Sequence, residues 1–257
     1  MEISVRGIPV SYLENGDGDY AIVLQGWGTS INLYNAIIDT LAEKYHVIAP
    51  DLPGFGATPE PPEPWSVDDY ADFVLEFCEK LGITECFVFA HSFGARITIK
   101  LSARENSPVR MYKIALTGAA GIRHEPSEAA KKRAKKYQRG KKFLSSPVMK
   151  TMFPDALEKF RMKHGSEDYR AASPMMRQVL VKTVNEDLSP LLPKCGAETL
   201  LIWGRNDDAT PLEDGQRMEK EMTAAALVTI DNAGHFAFID QQYIFLRVLA
   251  AYIGLSL

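Results

Sequence analysis

A serine at a strand-to-helix junction, a histidine in a late glycine loop and two aspartates between them are the residues here that can do chemistry together. Ser92 stands in Ala90-His91-Ser92-Phe93-Gly94, after the apolar run Cys86-Phe87-Val88-Phe89-Ala90 and before a helical stretch. A sharp turn at that point lifts the hydroxyl above a sheet edge. It tolerates only small residues two positions to either side, which Ala90 and Gly94 supply. A serine hydroxyl is a weak nucleophile until a base takes its proton, an acid orients the base and N–H donors hold the oxyanion. Of the five histidines, His91 adjoins Ser92 but diverges from it in so tight a turn, so packing is its expected role. His46 falls in a strand, and His124 and His164 fall in a helical insertion. His235, in Asn232-Ala233-Gly234-His235-Phe236 after the last strand, is the expected base. Asp207 and Asp208, in Gly204-Arg205-Asn206-Asp207-Asp208 after the preceding strand, compete as the acid. The backbone N–H of Phe93, next to the nucleophile, and that of Trp27, in the loop after an early buried strand, are the expected oxyanion donors.

The elements that must position these groups are readable from periodicity. Ile3 to Leu13 reads as a hairpin ending in the turn-rich Glu14-Asn15-Gly16-Asp17-Gly18. Tyr20–Leu24, Tyr45–Ala49, Cys86–Ala90, Tyr112–Thr117, Thr199–Trp203 and Ala226–Ile230 are short apolar runs expected as buried strands. Between them come helices over residues 31–43, from Ser66 to Leu81, from Ser92 to Arg104, over Leu212–Met222 and over Ile239–Tyr252. Ser66 and Asp69 form a capping box. Strands alternating with helices imply a mostly parallel sheet covered on both faces. The alternation stops at Gly118-Ala119-Ala120-Gly121, and residues 122–188 carry only helical, charged, Met-rich sequence. The expected organisation is therefore an α/β core over 1–121 and 189–257 with an inserted helical cap over 122–188, placed above the strand ends where open sheets bind ligands.

Composition narrows the partners. The chain has 257 residues, enough for one medium domain with an insertion, and its net charge of −4 gives no reason to expect nucleic acid. No apolar stretch is long enough for an integral membrane segment, and the first residues lack a secretory pattern. Three cysteines (Cys78, Cys86 and Cys195), an odd number without close pairing, read as reduced thiols in a cytoplasmic protein rather than as a disulfide framework. No histidine or cysteine spacing suits a metal, and no cofactor motif occurs. Oligomeric state leaves no signature. The basic run Lys131, Lys132, Arg133, Lys135, Lys136, Arg139, Lys141 and Lys142 reads as the solvated face of a cap helix. Phe143, Leu144, Met149, Met152 and Phe153 are expected to pack onto the sheet domain, and Phe238 to be a core aromatic.

Taken in order, Gln25-Gly26-Trp27-Gly28, Asp51-Leu52-Pro53-Gly54-Phe55-Gly56, Ala90-His91-Ser92-Phe93-Gly94, Gly204-Arg205-Asn206-Asp207 with Pro211, and Gly234-His235 make the chain resemble the α/β-hydrolase superfamily over nearly its whole length. The resemblance implies the nucleophile-acid-base order Ser92, Asp207, His235, which selects Asp207 over Asp208. It also implies that Asp51 belongs to a structural turn. The family more often has histidine where Gln25 stands and glycine where Ala90 stands. A serine at the turn, not an aspartate, sets the chain apart from the dehalogenase and epoxide-hydrolase branches. The implied activity is a serine hydrolase acting on a small-molecule ester-like substrate, a carboxylesterase first. The Gly-Arg-Asn-Asp segment also resembles the branch that hydrolyses carbon–carbon bonds of dienoic ring-fission products. That branch favours a glycine-rich oxyanion loop and a tryptophan after its histidine, where this chain has Phe236. A ligand-binding receptor of slow turnover on the same fold is the third reading.

Overall fold

The computed structural model describes residues 1–125, 128–153 and 155–255. Eight strands form one sheet: β1 (Glu2–Val5), β2 (Ile8–Asn15), β3 (Asp19–Leu24), β4 (Tyr45–Pro50), β5 (Glu85–His91), β6 (Arg110–Thr117), β7 (Glu198–Gly204) and β8 (Ala225–Ile230). Their spatial order is β1-β2-β4-β3-β5-β6-β7-β8. The β1–β2 hairpin and the β2–β4 pair are antiparallel, and every pairing from β4 to β8 is parallel. β3 has β4 on one side and β5 on the other, so the chain leaves β3 in one direction and returns on its opposite flank. Such a switch point opens a crevice beyond the carboxyl ends of the strands. The loop after β3 and the turn after β5 both meet there.

The strands are apolar runs because both faces are covered. Helices α1 (Asn35–Ala42), α2 (Val67–Lys80) and α3 (Phe93–Ser102) precede the insertion, and a short 3-10 turn over Ile31–Tyr34 leads into α1. After it come α9 (Leu212–Glu221), α10 (Ala237–Asp240) and α11 (Gln242–Ile253). The helix expected over 239–252 is thus broken near Gln241, whose non-helical backbone (φ −133°, ψ 52°) separates α10 from α11. Phe73, Phe77, Ile97, Ile99 and Met218, from α2, α3 and α9, pack on one face with Val88 and Leu201. Ile37, Ile38, Phe245 and Leu249, from α1 and α11, pack on the other with Phe87, Phe89 and Ile202. The Ser66 capping box is formed: the Ser66 side chain accepts from the Asp69 N–H, and the Asp69 side chain accepts from Ser66 N–H.

Between β6 and β7 lie α4 (Glu128–Leu144), α5 (Pro147–Met152), α6 (Ala156–His164), α7 (Glu167–Ala171) and α8 (Pro174–Val184). Residues 126, 127 and 154 of the expected cap span lie outside the described residues. α8 is the helix that docks: Met176, Val179, Leu180 and Thr183 are buried, and Met176 joins the core beside Phe93. The basic run of α4 is exposed except for a half-buried Lys141. One expectation is overturned. Phe143, Met152 and Phe153 do not pack on the sheet domain and are 64%, 64% and 54% exposed. Helices α4 to α6 pack on one another, with Tyr137 of α4 stacked on Phe160 of α6. Among the described residues no helix is long and apolar enough to cross a membrane. Cys78, Cys86 and Cys195 are free and buried, and burial pushes the Cys78 thiol up to about 12.

Candidate active site

Ser92 is the one residue between β5 and α3, and its backbone is forced into φ 49°, ψ −103°. A side chain at positive φ carries strain on the order of 1–3 kcal/mol, which persists only where the surroundings impose it. They do so here from both sides. The Ser92 N–H donates to the Thr117 carbonyl on β6 at 3.1 Å, and the Gly94 N–H donates to the Gln25 carbonyl at 3.0 Å. Gly94 has no room for a side chain, since a Cβ there would lie 2.4 Å from the Leu24 carbonyl oxygen. The small residue expected from the sequence is thus a matter of close approach to β3.

The expected base and acid reach the same point from the ends of β8 and β7. His235 Nε2 lies 2.9 Å from Ser92 Oγ, and His235 Nδ1 lies 2.9 Å from Asp207 Oδ2. A carboxylate only accepts, so Nδ1 carries the ring proton and the Nε2 lone pair faces the serine hydroxyl. Asp207 is fully engaged. Its Oδ1 accepts from the N–H groups of Ala209 and Thr210 at 3.0 and 2.9 Å, and its Oδ2 accepts from the Thr210 hydroxyl at 2.8 Å. Burial alone would raise this carboxyl, but the His235 and Thr210 donors outweigh it and hold Asp207 below the ordinary carboxylate range. Asp208, the competing carboxylate, is exposed. The loop that presents Asp207 is anchored by Trp203, fully buried, whose indole N–H donates to the Thr210 carbonyl at 2.8 Å.

His91 does pack as expected, but it also makes bonds that sequence reading missed. Its Nε2 lies 3.1 Å from the His235 carbonyl oxygen, which can only accept, so Nε2 carries the proton. Its Nδ1 is then an acceptor and takes the Tyr34 hydroxyl proton at 2.9 Å, while that hydroxyl accepts from Gly26 N–H at 2.8 Å. Burial, with the His235 ring 4.8 Å away between centroids, drives the His91 pKa down to about 3. His91 therefore stays neutral while it fixes the backbone carrying His235. No local motif marks this chain, because Tyr34 lies 57 positions before His91.

The loop after β3 is held from beneath. Buried Gln25 donates to the Thr29 carbonyl at 2.8 Å and accepts from Leu52 N–H at 3.2 Å. Asp51 accepts from Ile31 N–H at 2.8 Å and Ala57 N–H at 2.9 Å, so the second buried carboxylate of the region is spent on the main chain. Trp27 packs edge-on against Phe55 and Phe93, with centroids 4.9 and 5.4 Å apart. Phe93 opens α3, so its N–H is one of the helix's orphan donors. Among the described residues the Trp27 N–H donates to no backbone group. Phe238 is buried and stacks on Tyr34.

Ser92, His235, Trp27 and Phe93 border one cavity of about 770 Å³, within the range of small-ligand pockets. The rest of its wall includes Arg96 of α3, Glu167 and Asp168 of α7, Leu180, Thr183 and Val184 of α8, and Phe236. His124, expected in the insertion, also borders it and is tied by Nε2 to Asp214 Oδ1 at 2.6 Å. His46 pairs with Glu14, and His164 packs on Phe160. Among the described residues no cluster of three His, Cys, Asp or Glu side chains could hold a metal ion.

Residues 22–245 match the family described as the Alpha/beta hydrolase family. A 2-hydroxy-6-oxo-2,4-heptadienoate hydrolase of Pseudomonas putida is 23% identical, over 95% of this chain and 92% of its own. A pimeloyl-[acyl-carrier protein] methyl ester esterase of Chromobacterium violaceum is also 23% identical, over 93% of this chain and 95% of its own. Among solved structures, an esterase of Exiguobacterium antarcticum superposes with a TM-score of 0.75 at 23% identity, covering 98% of each chain.

Proposed function

The chain belongs to the alpha/beta hydrolase family, and from that premise we propose that it is a serine hydrolase that cleaves a small or medium acyl ester through an acyl-enzyme. The observation that carries the reading is the unbroken chain from Ser92 Oγ to His235 Nε2 at 2.9 Å and from His235 Nδ1 to Asp207 Oδ2 at 2.9 Å. In this reading Ser92 Oγ attacks the carbonyl carbon as its proton passes to His235 Nε2. Asp207 holds the tautomer and balances the imidazolium. The Trp27 and Phe93 N–H groups receive the oxyanion. His235 then returns the proton to the departing alkoxide, and a water deprotonated by the same nitrogen attacks the acyl carbon and releases the acid. A neutral His91 matters here, since a second cation beside His235 would oppose the imidazolium as it forms. Helices α4 to α8 act as the cap over the strand ends, with α7 and α8 supplying cavity wall.

Hydrolysis of a carbon–carbon bond is the second reading. The relative named for a heptadienoate supports it, at the same identity as the one named for a methyl ester. The experiment that tests the nucleophile is intact-protein mass after treatment with a neutral fluorophosphonate probe. One adduct on the wild type and none on Ser92→Ala or His235→Ala supports the reading, and no adduct on the wild type ends it. Repeated turnover of para-nitrophenyl butyrate then separates an esterase from a slow receptor. Consumption of a dienoate chromophore with no ester turnover would put the carbon–carbon reading first.

A further inference from the structure

Arg96 lies one helical turn after Ser92 on α3 and is only 7% exposed. Arg96 and Ser92 border the same cavity. A guanidinium cannot shed its proton to escape burial, and its five N–H donors normally find partners there. Arg96 has few. Nη1 donates to the Glu186 carbonyl at 2.9 Å, and among the described residues no carboxylate lies within ion-pair distance of it. The nearby acids are committed elsewhere. Glu186 takes the Lys100 ammonium at 2.5 Å, and Asp187 accepts from the Ser189 hydroxyl at 2.6 Å. A buried cation with spare donors therefore borders the same cavity as Ser92 and His235.

The geometry points to Arg96 as an anion subsite: the substrate carries a carboxylate that the guanidinium receives while its ester carbonyl meets Ser92. The inference rests on the reading of Ser92 as the nucleophile. The other charges of the wall give the substrate a direction. Glu167 and Asp168 lie on α7, beside Trp27 and Phe236, where they also line a neighbouring groove. A carboxylate is repelled from that end and drawn to Arg96, leaving the ester across Ser92. Asp214, the buried acid of the wall, lies 2.6 Å from His124 Nε2. The competing account is that Arg96 only ties α3 to the segment after α8 through the Glu186 carbonyl. A tie of that kind would affect stability and all substrates alike, whereas an anion subsite affects the charged substrate alone.

The test compares wild type, Arg96→Lys and Arg96→Met on two matched pairs of esters. One pair places charge on the acyl side (para-nitrophenyl hexanoate and the para-nitrophenyl monoester of adipic acid). The other places it on the alcohol side (phenyl butyrate and meta-butyryloxybenzoate). A charge-assisted bond in a desolvated site leads to a wild-type kcat/KM about tenfold or more higher for the anionic member of one pair. Arg96→Met should lose that preference, mainly through KM, bringing the ratio of kcat/KM for the anionic and neutral members of that pair to about one. Arg96→Lys should keep part of it, as a point charge without the guanidinium fork. Equal rates on both members of both pairs in the wild type, or an equal loss on neutral and anionic esters in Arg96→Met, overturns the inference. A wild-type measurement covers the case in which the variants do not fold. Phenylacetate and phenylbutyrate should slow fluorophosphonate labelling of Ser92 while their primary amides do not, and equal effects of acid and amide overturn the inference. A wild type that labels but shows no anion preference refutes the Arg96 subsite alone. One that never labels removes the nucleophile reading and this inference with it.

Discussion

Replacing His91 with glutamine should remove a specific part of the protein's acid sensitivity. Folded, His91 has its pKa driven down to about 3 by burial and by the His235 ring, whereas an unfolded histidine titrates at about 6.5. Between those values the unfolded chain binds a proton that the folded one refuses, so stability falls as pH drops through 6.5 and the loss levels off only near 3. From about pH 7 to about pH 5 the loss integrates to about 2 kcal/mol, set by the unfolded value because pH 5 lies well above the folded one. That is a large share of a typical stability of about 5–15 kcal/mol. Glutamine at position 91 has no such titration. At neutral pH it should be the less stable protein by about 1–2 kcal/mol, since it cannot span both Tyr34 and the His235 carbonyl. The gap between wild type and variant should then close by about 2 kcal/mol on going to about pH 5. Urea unfolding of both proteins at the two pH values measures it, with the other histidines cancelling in the difference. A gap that does not change with pH would refute the neutral, buried His91 on which the electrostatics of the site depend.

Three further substitutions probe the geometry. Ser92→Gly should label with no fluorophosphonate yet be about 1 kcal/mol more stable than Ser92→Ala, because only glycine relaxes at φ 49°. Equal urea midpoints for the two would show that the turn is unstrained. Asp207→Asn should lower kcat by about a thousandfold or more, through loss of the tautomer lock, while exposed Asp208→Asn stays within about threefold. The reverse pattern would make Asp208 the acid. Gly118→Ala should lower kcat about tenfold or more at nearly constant KM, since the new Cβ would lie 3.0 Å from His235 Nδ1 and 3.2 Å from Asp207 Oδ2. An unchanged kcat in steady-state assays would contradict the crowding at that glycine.

The placements legible in the sequence are those that depend only on where a strand ends. Ser92, Asp207 and His235 each follow a short apolar run, and a parallel sheet sends the ends of all such runs to one edge. Adjacent residues resist this logic. Asp207 and Asp208 were separated by family resemblance alone, and what parts them in the fold is local: Asp207 turns inward to the Ala209 and Thr210 amides. The bonding of His91 and Arg96 is illegible in the sequence because their partners come from distant segments, Tyr34 and His235 for one and Glu186 for the other. Three apolar residues at the ends of α4 and α5 differ from expectation for the opposite reason. Phe143, Met152 and Phe153 look like core by composition, yet the helices bearing them pack on one another and leave these three side chains exposed.

The way His235 reaches Ser92 explains why the end of β6 carries no side chain. β8 and β5 are three strands apart, about 14 Å at ordinary strand spacing. The loop after β8 must carry the imidazole across the ends of β7 and β6 to meet Ser92. β7 ends in the loop that supplies Asp207, so the ring gains a hydrogen bond where it crosses. β6 ends at Thr117, and the next residue is Gly118, at φ +48° with the His235 ring and the Asp207 carboxylate directly above it. A side chain there would occupy the path of the ring. It would also need a left-handed backbone that non-glycine residues adopt only at a cost of about 1–2 kcal/mol. With Asp207 on the loop after β7 and His235 on the loop after β8, the residue after β6 lies under their contact, and a glycine there leaves the path from His235 to Ser92 open.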